Sequence, residues 1–141
     1  MSVTTIEQLQ EWMVDMAEFL DNNDDPSNLH YTYFVHEPEL ALHLVTLIDT
    51  LDEQHIDDDR SYFSACIFAL DVCVAQLQIA SENGNKSATK VLDQLMDNLA
   101  IAISSNKHTL SFWLPILNAF YEVHVELSEA LKNAYLDFLH Q

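Results

Sequence analysis

Residues 61–80 read Ser61-Tyr62-Phe63-Ser64-Ala65-Cys66-Ile67-Phe68-Ala69-Leu70-Asp71-Val72-Cys73-Val74-Ala75-Gln76-Leu77-Gln78-Ile79-Ala80, and they decide the fold. Asp71 is the one charge among twenty residues. No polar stripe is left to face water, so the stretch is expected to form a helix covered on nearly all sides, at the centre of the molecule. Its length would suffice to cross a membrane. Asp71 at the midpoint would cost about 2.5–3.5 kcal/mol there, and only Arg60 stands beside it as a basic flank. The expectation is therefore a buried core helix and no membrane.

The rest of the composition agrees with helices. The 141 residues contain one glycine, Gly84, and three prolines, Pro26, Pro38 and Pro115, where ordinary usage gives about ten and about seven. Tight turns are scarce, and long 3.6-residue patterns take their place. A hydrophobic fraction of 49% excludes a disordered chain even at a net charge of −18. The predicted fold class is all-α: a single-domain bundle of about five helices around the central helix (about 60–81), with a long C-terminal helix (about 111–139).

Outward from the centre, Thr4 and Glu7 form a capping box for a first helix, with Ile6, Leu9, Met13, Met16 and Leu20 inward and Trp12 and Phe19 beside them. Residues 27–37 fit either a short helix or an extended segment. Pro38 opens a second helix carrying Leu40, Leu44, Leu47 and Leu51. Asp57, Asp58 and Asp59 offer the central helix an N-cap and favourable charge, and Gly84 offers it a left-handed C-terminal cap. Ser87 is expected to cap the fourth helix. In the last one Trp113, Leu117, Phe120, His124, Leu127, Leu131, Ala134 and Phe138 keep phase throughout, which predicts one helix running through Ser128 with Pro115 in its first turns.

Charge is distributed unevenly. Residues 1–60 hold 15 acids and one base, whereas residues 61–141 hold 8 acids and 4 lysines. Glu7, Glu11, Asp15 and Glu18, spaced four, four and three, fall on one helix face about 6 Å apart with no lysine among them. Like charges so placed cost a few tenths of a kcal/mol per pair. Two readings fit the stripe. It is a solvated face serving solubility, or it is a docking surface for a basic protein partner, with Trp12, Tyr31 or Tyr33 as aromatic anchors. The second reading covers an antitoxin or immunity protein, an inhibitor or DNA mimic, and a secretion chaperone. Direct nucleic-acid binding is disfavoured, because five basic residues cannot make the usual phosphate contacts.

The interior suggests an alternative. Asp71 and the stripe residue His124, with tyrosines such as Tyr121 and Tyr135 nearby, define a possible buried polar, ligand or metal site, in which a hydrogen bond between helices is the simpler role. Glu39 with His43, four apart, and Asp52 with His55, three apart, come close to the acid–histidine spacing of carboxylate-bridged metal bundles, but the second half of that pattern is missing, so no metal and no cofactor are expected. The other histidines, His30, His36, His108 and His140, are scattered.

One glycine excludes a glycine-rich phosphate loop and a glycine-bordered nucleophile turn, so the expectation is a non-enzyme. The N-terminus lacks a basic region and an apolar run. Together with Cys66 and Cys73, too far apart along their helix to bridge, this points to a reducing, cytoplasmic setting. Trp113, Leu114 and Ile116, apolar on more than one side of the last helix, leave room for a homodimer.

Overall fold

The computed structural model describes residues 6–21, 31–51, 60–105 and 108–140. Among them the chain forms α1 (Ile6–Asp21), α2 (Tyr31–His36), a 3-10 turn (Pro38–Leu40), α3 (Ala41–Asp49), α4 (Arg60–Glu82), α5 (Lys86–Ser104), α6 (Leu110–Glu122) and α7 (Glu129–Leu139). The all-α bundle is as expected. The helix count is higher than the periodicity implied, and each difference has a local cause.

The described part of the stretch that resisted assignment supplies α2, and the second helix expected from Pro38 begins instead as the 3-10 turn. Pro38 opens that turn, where a residue without an N–H breaks no helical bond, and Leu40 buries itself as the chain enters α3. The inner faces of α1 and α3 then meet in the core: Leu9, Met13 and Met16 from one, Leu44, Leu47 and Ile48 from the other. Each such side chain taken out of water stabilises the fold by about 1.5–3 kcal/mol.

Helix α4 is central by its contacts, packing against α1, α2, the 3-10 turn, α3, α5 and α6. Its coverage is less complete than expected. Ala65, Cys66, Ala69, Leu70, Cys73, Val74 and Leu77 are buried, while Ser64, Ile67, Asp71, Val72, Ala75 and Ile79 form a stripe that is half-buried or exposed. By length and composition α4 is the one described helix that passes as a membrane span, and 39% of its most apolar window is buried.

At the end of α4, Asn85 N–H donates to the Ala80 carbonyl at 2.9 Å and Gly84 N–H to the Ser81 carbonyl at 3.0 Å, with Gly84 at φ 91°. These are the two bonds of a Schellman motif. Asn85 also begins α5: its side chain accepts from Ala88 N–H at 3.1 Å, so the cap is Asn85 and not Ser87. The expected caps at Thr4 and at Asp57, Asp58 and Asp59 lie outside the described residues.

The single long C-terminal helix is replaced by two. After Glu122 the motif repeats: Val125 N–H donates to the Phe120 carbonyl at 3.0 Å and His124 N–H to the Tyr121 carbonyl at 3.1 Å, with His124 in the left-handed region at φ 61°. Val125 and Phe120, the pair that usually touches in such a cap, are both buried. Ser128 then starts α7, its hydroxyl accepting from Leu131 N–H at 3.2 Å, and α7 packs on α5. The apolar phase survives across the break because the connection happens to restore it. Pro115 sits at the sixth residue of α6, in its second turn, where the Ser111 carbonyl loses its usual donor.

Candidate functional site

The acidic stripe lies where the periodicity places it. Leu9, Trp12, Met13, Met16 and Ala17 turn α1 inward, and the opposite face presents Glu7, Glu11, Asp15 and Glu18, all exposed. Val14 stands among them, 47% exposed, three residues after Glu11 and four before Glu18. An apolar side chain ringed by carboxylates was legible from that spacing and is a feature the sequence reading passed over.

The aromatic anchors fare differently. Trp12 is 8% exposed and meets Phe34 edge-on, ring centroids 6.2 Å apart at 88°. It belongs to the core, because one turn of α1 carries it past the acidic face onto the α2 contact. Tyr31 and Tyr33 open α2, and their side chains lie outside the described set. Trp113 and Ile116 are likewise buried, which leaves Leu114 alone of the three apolar residues considered for a homodimer.

No hydrogen bond or ion pair joins Asp71 and His124. His124 is exposed, because its role as the left-handed residue of the α6 cap turns it away from the interior. Asp71 is half-buried on the open stripe of α4, and among the described residues it has no hydrogen-bond or ion-pair partner. Loss of hydration raises its pKa to about 6, and the Glu122 carboxylate nearby pushes the same way. Tyr121, one of the expected partners, points to solvent at 78% exposure. Glu122 is itself held by Asn118, whose side-chain amide donates to Glu122 Oε1 at 2.9 Å.

Cys66 and Cys73 are buried free thiols. Burial pushes Cys66 up to about 12 and raises Cys73 as well, with the Glu39 carboxylate adding to the effect, so both stay protonated and unreactive. The Cys73 thiol faces the Phe34 carbonyl at 3.9 Å. Glu39 and His43 are exposed, Asp52 and His55 lie outside the described residues, and no group of three or more potential metal ligands occurs among the described residues.

The one buried polar residue in the described chain is His108, and nothing in the sequence singled it out. Its ring stacks on Phe112, centroids 3.8 Å apart at 9°, and meets Trp113 edge-on at 5.3 Å. Nε2 lies 3.2 Å from the Asp49 carbonyl and 3.3 Å from Asp49 Oδ1. The contact clasps the start of α6 to the end of α3, a structural task that a connecting segment's composition does not advertise. Open grooves of about 490 Å³ between α5 and α7 and about 390 Å³ between α3 and α5 contain neither Asp71 nor His124.

No family model, curated protein or solved structure matches the chain.

Proposed function

We propose that this is a non-enzymatic, cytoplasmic interaction protein that binds a basic protein partner through the outward face of α1. The observation that carries the reading is the exposure of Glu7, Glu11, Asp15 and Glu18 together on a helix whose other face is locked into the core. A rigid rod of like charges costs folding energy that one interspersed lysine would remove, and α1 contains no lysine or arginine. Complementary charge would steer the partner and raise its association rate. Val14 takes the central apolar position that Trp12 cannot, since Trp12 is buried. The acidic N-terminal half, with 15 acids against one base, extends the attraction beyond the contact itself.

The test is capture of a basic protein from source lysate at low and raised salt, beside a variant carrying Glu7→Gln, Glu11→Gln, Asp15→Asn and Glu18→Gln. The native chain is expected to retain one basic partner that the variant loses and that salt releases. Retention that is indifferent to both changes removes the α1 face from the mechanism.

A further inference from the structure

The open stripe of α4 is unusual for a helix at the centre of a bundle. Over Ile67, Val72, Ala75 and Ile79 it leaves apolar side chains half-buried or exposed, and Asp71 sits at the middle of that run. Helix α6 runs alongside in the same direction. Phe63 and Phe112 touch near the two starts, ring centroids 5.6 Å apart, and eight residues further on α4 and ten further on α6 stand Asp71 and Glu122. At 1.5 Å per residue these advances are about 12 and about 15 Å, so the two carboxylates stand at nearly the same level of the helix pair. Their mutual repulsion is felt at Asp71.

Nothing in the described chain neutralises this pair. Lys132 is engaged with Glu129 at 3.8 Å, and Arg60 lies three turns of α4 away from Asp71. Asn118 meanwhile fixes the Glu122 carboxylate by a hydrogen bond, so one half of the pair is held in place. A half-buried carboxylate set among apolar side chains, with a second, exposed and hydrogen-bonded one at its level, is complementary to one cation carried on an apolar surface. From Ile67 to Ile79 the stripe spans about 18 Å, the length of a three-turn helix.

We propose that the α4 stripe is a second docking surface for the same basic partner: a basic amphipathic helix seats its apolar residues on Ile67, Val72 and Ile79 and places a lysine or arginine between Asp71 and Glu122. The mode is an amphipathic helix read by its apolar positions and fixed by one buried charge contact. The inference rests on the reading that the partner is basic, but it assigns a different surface from the α1 face. It also accounts for α4 being more apolar than its coverage requires.

The experiment is amide chemical-shift titration of the full chain with two synthetic probes: a Leu/Lys amphipathic helix with one lysine amid its apolar face, and an oligolysine of equal charge. The amphipathic probe is expected to shift residues 67–79 and 118–122 and to bind about tenfold more weakly when Asp71→Asn and Glu122→Gln are combined. Asp93→Asn, which removes an exposed charge of the same sign on α5, should bind that probe within about twofold of the native chain. Equal affinity of native and Asp71→Asn/Glu122→Gln chains overturns the proposal, as does a response at 67–79 that oligolysine reproduces. Shifts confined to α1 and abolished in the quadruple variant overturn it while leaving the α1 reading intact. Binding at α4, with partner capture unchanged by the quadruple variant, supports it and removes the α1 reading instead.

Discussion

Asp71 carries a cost that depends on pH in a definite direction. Its folded-state pKa is raised from 3.8 to about 6, so between those values the folded chain holds a proton that the unfolded chain has lost. Stability therefore falls as pH rises through this window, and the penalty is complete above about pH 6. A shift of this size would amount to at most about 3 kcal/mol, and partial exposure reduces it to about 1 kcal/mol. Asp71→Asn is accordingly expected to stabilise the protein by about 1 kcal/mol at pH 7, with the advantage vanishing below about pH 4. Urea melts of the two proteins at pH 4 and pH 7 measure it, and an asparagine variant less stable at pH 7 would contradict the assignment. The residue was conspicuous in the sequence as the one charge on an apolar helix. Its neighbour Glu122 was not, because pairing α4 with α6 is a tertiary fact that no spacing along the chain encodes.

Among the elements, helix ends were harder to read than helix faces. The end of α4 was legible because Gly84 is the only glycine, and a left-handed cap is where a glycine relieves most strain. The end of α6 uses the same hydrogen bonds with a histidine in the left-handed position. Histidine gave no such signal, and the unbroken apolar phase from Trp113 to Phe138 concealed the stop. Ser128 followed by Glu129 was the available clue, a capping hydroxyl before an acidic first turn. The two caps make a matched pair of substitutions. Gly84→Ala is expected to lower stability by about 1 kcal/mol through backbone strain alone, since a Cβ there would meet nothing within 4 Å. His124→Gly relieves the same strain and should raise stability by about 0.5–1 kcal/mol. Thermal melts of both variants check the pair, and an His124→Gly chain that melts lower would mean the imidazole contributes more than its backbone conformation costs.

Across the whole molecule, hydrophobic periodicity revealed which faces turn inward, and charge spacing revealed the acidic stripe of α1, because both are properties of a single helix. Trp12, three residues after Leu9 and four before Met16, was readable as an inward residue by the same rule, whereas His108 and the open side of α4 were not, since each depends on which neighbour lies opposite. The net charge of −18 has a consequence on this larger scale that no single contact captures. Carboxylates about 6 Å apart on α1 lie well within the Debye length of about 10 Å at 0.1 M salt, so the folded state concentrates repulsion that the unfolded chain dilutes. Added salt should stabilise the fold, raising Tm by about 5 °C between roughly 10 mM and 0.3 M sodium chloride. The α1 quadruple variant keeps 19 of the 23 acids. Its salt response should therefore be shallower than that of the native chain but still positive, because much of the repulsion lies outside α1. A native Tm indifferent to salt would mean that the acids are already far enough apart in the fold, and would remove the energetic argument for a basic partner. A slope that vanishes entirely in the quadruple variant would instead place the repulsion in α1 alone, and would make that face the point where a partner's positive charge has the most to relieve.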